Sequence, residues 1–162
     1  MRNPSFRFAK YYNEELAKAR TVARVLRDFP LSLQIVRGID LCTDEMGVPN
    51  WVFVRIFQML RDAANVASGV VRARTGWTLP GLRTTIHAGE DFVHLLSGLR
   101  YVDEAIEQLG LREGDRIGHG VALGIDQRTW AKQAGRLAMP CEERLFDLVW
   151  EWAWYGKDRL VS

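Results

Sequence analysis

The stretch Leu82-Arg-Thr-Thr-Ile-His-Ala-Gly-Glu90 and its sequel Asp115-Arg-Ile-Gly-His119-Gly-Val-Ala122 decide the fold. Each half opens on a short apolar run and closes on a histidine with glycine close by. One helix length of chain, 95–110, lies between them. The reading is strand, helix, strand, with polar groups placed where each strand stops. In parallel α/β folds, chemistry gathers at the carboxyl ends of strands. Here that end carries His87, Glu90 and His119.

The spacing has a physical consequence. Ala88 and Gly89 are small and let the chain turn sharply. Glu90 then lies roughly 10 Å or less along the chain from His87, at about 3.3 Å per extended residue. Gly118 and Gly120 flank His119 and leave room for a substrate to approach. A metal-binding imidazole and a proton-carrying carboxyl thus face one cleft.

Working outward, the run 31–41 is rich in Leu, Ile and Val, as a strand buried on both faces would be. The loop 40–47 at its end turns Thr43, Asp44 and Glu45 toward the same mouth. A helix is expected over 13–28, with Glu14 and Glu15 favouring its amino-terminal dipole. A second, opened by Asn50 as a cap, runs to Gly76. Phe53, Ile56 or Phe57, Leu60, Ala64, Ala67 and Val71 give its buried stripe. In the segment ending at Leu109, the inward set is Leu95, Leu99, Val102, Ile106 and Leu109. Asp126 caps a short helix that carries Trp130. Residues 141–155 read as a last helix, with Leu145, Leu148, Val149 and Trp152 inward and its charges solvated. Trp150, Trp152, Trp154 and Tyr155 cannot all face one side, so part of that cluster should meet another surface. The order β, α, β, α, β implies right-handed crossovers and a parallel sheet.

His87-Ala-Gly-Glu90 followed by Arg116-Ile-Gly-His119-Gly120 resembles the adenosine deaminase family of zinc hydrolases. Gly38-Ile-Asp-Leu-Cys-Thr-Asp-Glu45 is similar to that family's fourth barrel strand. The three motifs stand in the family's order over about 35–122. The resemblance implies a parallel (β/α)8 barrel, of which this chain holds strands four to six. The expected fold is therefore α/β, a partial TIM-type barrel of about three strands. It forms one unit over 1–162, with a helical extension at about 126–156.

The implied activity is hydrolytic deamination of adenosine or a related purine nucleoside or nucleotide. By resemblance, His87 is a zinc ligand. Glu90 gives a proton to the purine ring nitrogen, and His119 orients the attacking hydroxide and helps take its proton. Thr43 stands where the family often has a glycine close to the purine, which makes it a substrate-binding candidate with added bulk. The family also uses a His-X-His pair and an aspartate from other strands, and no His-X-His pair occurs here. A catalytic zinc takes about three protein ligands. The Zn2+ site is then expected to be completed by the rest of the barrel, from another chain or by self-association. The alternative is a catalytically inactive remnant, or a structural segment of a larger assembly. The last helix resembles the adenosine deaminase-like component of bacterial RADAR anti-phage systems, which implies antiviral defence.

Global numbers set the bounds. The chain has 162 residues, a formal charge of +2 and 48% apolar residues, a globular composition. A closed (β/α)8 barrel usually takes roughly 250 residues. A charge of +2 is too small to imply nucleic acid. No run of ~18 apolar residues suggests a membrane partner, and Met1 to Arg7 lacks a signal peptide's apolar core. Cys42 and Cys141 make no disulfide framework, so a reducing, cytoplasmic setting is expected. Cys42 reads as a small strand-end hydrophobe, and His94 as a surface or helix-start residue.

Overall fold

The computed structural model describes residues 6–158. Among them, three short strands, β1 (Gly38–Leu41), β2 (Arg83–Ala88) and β3 (Arg116–His119), pair in parallel in the order β1-β2-β3. Helix α1 (Ala9–Asp28) precedes β1. Helices α2 (Val54–Thr75) and α3 (Leu95–Leu109) form the two crossovers that parallel pairing demands. Helices α4 (Gln127–Gln133) and α5 (Cys141–Asp158) follow β3.

The helices cover the sheet on one face. Thr84, Ile86 and Ala88 of β2 are buried, and Ile86 and Ala88 join one core with Phe57, Leu60 and Ala64 of α2 and Val102, Ala105 and Leu109 of α3. Thr85 and His87 alternate to the other face and are only half-buried. Both crossovers therefore lie on the same side. The strand order never reverses, unlike that of a doubly wound sheet. Helix α1 packs against α2. The buried faces of this pair carry Ala19 and Ala23 on one helix and Ala63, Ala64 and Ala67 on the other, small residues that suit a close approach.

Several local expectations needed correction. Most of 31–41 is not strand: Pro30–Gln34 forms a 3-10 turn, and only Gly38–Leu41 pairs. Pro30 sits at the start of that turn, where its fixed φ fits and its missing N–H costs nothing. Leu33 is buried under the core, whereas Leu31 and Ile35 stay exposed. Helix α1 starts at Ala9, so Glu14 and Glu15 lie beyond its first turn. Asn50 does not cap α2. It opens a 3-10 turn, Asn50–Phe53, and donates from Nδ2 to the Tyr101 carbonyl at 3.2 Å. The stripe from Phe53 to Val71 is buried as expected, and Gly76 ends α2 with φ 74°.

The largest reversal concerns α5. Leu145, Leu148, Val149 and Trp152 are exposed, and Glu143 and Asp147 face inward. The cause is Arg100 on α3, whose side chain is 2% exposed. Its Nε donates to Asp147 Oδ1 at 2.8 Å and its Nη2 to Glu143 Oε2 at 2.6 Å. Its Nη1 donates to both oxygens of Glu104 at 3.1 Å. A buried guanidinium needs such acceptors, and α5 docks to supply two of them. Ser97 donates to Asp147 Oδ2 at 2.7 Å, and Trp150 Nε1 to Asp103 Oδ2 at 2.6 Å. On α3 itself, Ile106 is exposed and Arg100 and Tyr101 are buried, because α5 covers that side.

Candidate functional site

His87 leaves β2 on the open face of the sheet. Its register partner on β3 is Gly118. A Cβ at residue 118 would lie 3.2 Å from three atoms of the His87 ring, so the ring occupies space that only glycine leaves free.

His119 needs a different device. It pairs in register with Ala88, whose side chain is buried toward the helices. Strict alternation along β3 would aim His119 the same way. Instead His119 adopts a left-handed φ of 58°, and Gly120 follows at φ 56°. For a residue with a Cβ this conformation costs about 1–2 kcal/mol, strain that is held where surrounding bonds fix it. Here the Gly120 N–H donates to the Ala88 carbonyl at 3.2 Å and the Ala122 N–H to the Gly89 carbonyl at 2.8 Å. The His87 and His119 rings thereby meet, with centroids 5.0 Å apart and planes tilted by 55°.

Glu90 arrives through the turn at Gly89, where φ is 75°. Its Oε2 lies 2.8 Å from His119 Nε2. One ligand atom each from His87, Glu90 and His119 falls within 4.8 Å of the others. The structure thus brings together the three residues expected at the strand ends. Two imidazole nitrogens and a carboxylate oxygen are a donor set that suits zinc, so the residues present fit that metal.

Two further acids belong to this region, Asp40, which was not singled out from sequence, and Glu45, which was. Asp40 Oδ2 lies 3.6 Å from His87 Nε2. Asp40 pairs in register with Thr85 and shares its open face. The two-residue period of Gly38-Ile-Asp-Leu carries that signal, but reading the segment as continuously buried hid it. Glu45 was expected at the mouth as a loop acid. It is buried, and its Oε2 accepts the Gly89 N–H at 2.9 Å. Burial pushes its carboxyl up, against the backbone N–H groups of Gly89, Glu90 and Asp91, which favour the charged form. Its other oxygen, Oε1, has no hydrogen-bond partner among the described residues. Glu45 therefore lies under the turn that presents Glu90.

The remaining candidates make local contacts of their own. The Thr43 hydroxyl is 3.1 Å from that of Tyr11, a bond that ties the loop to α1. Asp44 accepts the Met46 N–H within its own loop at 3.1 Å. His94 caps α3, with Nδ1 accepting the Leu96 N–H at 3.1 Å and its ring edge-on to Trp130. Cys42 is exposed rather than buried at the strand end. Among the described residues, no helix is long and apolar enough to cross a membrane.

No protein-family model matches the chain. Adenosine deaminase of Yersinia pseudotuberculosis serotype O:1b (strain IP 31758) is 34% identical over 93 residues, which are 57% of this chain and 20% of that protein. Adenosine deaminase of Pectobacterium atrosepticum is 35% identical over 97 residues, 60% of this chain and 21% of the relative. That of Vibrio parahaemolyticus is 36% identical over 84 residues, 52% and 18% of the two chains. The chain thus spans about a fifth of the length of these curated relatives. Over somewhat more than half of its own length, it is similar to adenosine deaminases.

Proposed function

We propose that this chain forms part of the wall and rim of an adenosine deaminase-like barrel. The completed site would remove the amino group of adenosine or a related purine nucleoside or nucleotide by hydrolysis. The observation that carries this reading is the convergence of His87, Glu90 and His119 within 4.8 Å on the open face of the sheet. The one-sided helix layer and the unreversed strand order support a barrel wall. β1 and β3 each pair on one side only among the described residues, which leaves an edge at each end where further strands can join. In this reading the face carrying Asp40, Thr85 and His87 lines the barrel interior. The whole of 1–162 then forms one unit, with α4 and α5 as an outer extension.

His87 would hold zinc, together with ligands from strands outside this chain. When bound, the ion would supply Lewis acidity, lowering the pKa of a coordinated water toward ~7. Glu90 donates a proton to the purine ring nitrogen and so makes the carbon bearing the amino group electrophilic. His119 holds the attacking water in place, takes its proton and passes it to the amino group, which leaves as ammonia, while the proton of the new hydroxyl restores Glu90. Positioned acid–base groups of this kind contribute about 10²–10⁴-fold. Asp40 places a carboxylate beside His87, which favours that imidazole as a cation ligand. Thr43 borders the purine. The narrower likeness to the RADAR component, with its antiviral role, rests on α5 alone, and the matched relatives are named simply adenosine deaminase.

A second reading, a structural segment without catalysis, is favoured by the outward apolar stripe of α5. Complementation separates the two. The chain is mixed with a polypeptide supplying the family's His-X-His pair and aspartate from the other strands, and ammonia release from adenosine is followed. The deaminase reading expects release, lost in Glu90→Gln while zinc stays bound. A zinc-loaded mixture that releases no ammonia, or a fully active Glu90→Gln mixture, would overturn it.

A further inference from the structure

Helix α5 is inside out. The side chains of Glu143, Asp147 and Trp150 bond to α3, and Asp147 is fully buried. Leu145, Leu148, Val149, Trp152 and Tyr155 are exposed, and Trp152 keeps 78% of its surface. Two residues along a helix turn about 200°, so this row lies opposite the row that faces α3. Leu145, Leu148, Trp152 and Tyr155 follow at steps of three, four and three, the spacing of a coiled-coil seam. A contiguous apolar stripe on an outer helix marks an interaction site.

Strands that extend the sheet do not explain the stripe. They would join at the β1 and β3 edges, whereas α5 packs on α3, which itself packs on β2. The stripe points outward from that stack, so its cover comes from outside the described residues. The flanking charges indicate what it is. Arg144 precedes Leu145 and Glu151 precedes Trp152, so both stand on the same flank of the seam, one heptad apart. When two copies of α5 pack antiparallel about a twofold axis near residue 148, Arg144 of each copy faces Glu151 of the other. Antiparallel packing also opposes the helix dipoles favourably.

We propose that α5 pairs antiparallel with α5 of a second copy of this chain, forming a dimer through the Leu145–Tyr155 seam. This does not rest on the deaminase reading. The test is sedimentation of the full chain over a range of concentrations. The wild type is expected to show a concentration-dependent dimer. Trp152→Glu should raise the dimer Kd by roughly tenfold or more with an unchanged circular-dichroism spectrum, since Trp152 is exposed. Arg144→Glu should raise Kd roughly threefold or more, and the swapped pair Arg144→Glu with Glu151→Arg should restore wild-type pairing. A monomeric wild type would overturn the proposal. So would association indifferent to Trp152→Glu, which places the contact at the sheet edges, or a charge swap that fails to restore binding.

Discussion

Gly118 and His87 are fitted to each other across β2 and β3: the imidazole lies where a Cβ on residue 118 would come within 3.2 Å of three ring atoms. Gly118→Ala must therefore push the ring aside by a few tenths of an ångström while leaving the helical core untouched. A ligand moved this way is expected to lose about tenfold in zinc affinity, the lower range for disturbing the residues that orient a metal ligand. Zinc titrations of wild type and variant side by side check this. Equal affinities would mean that the ring position does not matter.

Gly89 carries the turn between His87 and Glu90 at φ 75°, and a Cβ there would come within 2.8 Å of Val102 Cγ2. Gly89→Ala combines a left-handed penalty with overpacking against α3. The expected destabilisation is about 2–4 kcal/mol, read from the urea midpoint. A loss below about 0.5 kcal/mol, within the range of neutral surface changes, would contradict the account of this turn.

Asp147→Ala removes the partner of the Arg100 Nε and of the Ser97 hydroxyl in a fully desolvated spot. Breaking a buried pair from one side costs about 3–5 kcal/mol. Helix α5 should loosen first, so the fluorescence of Trp150, bonded to Asp103, should change at lower urea than the circular dichroism does. Coincident and unshifted transitions would show that α5 is held by other contacts.

The Glu104 carboxyl lies above its ordinary value of 4.5. Burial is the main cause. Arg100 opposes it, and the nearby Glu143 and Asp103 carboxylates add to it. Asp147 also bonds to the same guanidinium, so several acids share one cation. A carboxyl with a raised folded pKa binds its proton more tightly in the folded chain than in the unfolded one. Its contribution is greatest below about 4.5 and is lost as pH rises through the folded value. Glu104→Gln cannot titrate. The stability of Glu104→Gln relative to wild type should therefore increase from pH 4.5 upward. Urea unfolding at several pH values measures it, and a difference that is flat or falls with pH would contradict the assignment.

The strand-end residues and the parallel β-α-β-α-β order were legible because both follow from local pattern. Two apolar runs each ended in histidine, and the stripe from Phe53 to Val71 has an unambiguous helical period. What misled was context. Residues 31–34 carry the composition of a strand, yet Pro30 and the path of the chain make them a 3-10 turn. Leu145, Leu148, Val149 and Trp152 look like an inward face until the buried Arg100 on a distant helix is known to require carboxylates. The His119 ring reaches His87 only through a left-handed backbone. Its two flanking glycines hinted at room there but not at the reversal of direction. Glu45 reads as a loop acid because its burial depends on the turn at Gly89, 44 residues away in the chain.

The central claim is that His87 and His119 address one point in space together with Glu90. The chain has three histidines, so their side-chain NMR signals can be followed one by one during a zinc titration. The account predicts that the His87 and His119 signals shift together, with one midpoint, while His94, which caps α3, stays unmoved. In Glu90→Gln the joint midpoint should stay where it is, since Glu90 carries a proton and zinc remains bound without it. Separate midpoints for His87 and His119, or a response at His94 instead, would contradict it.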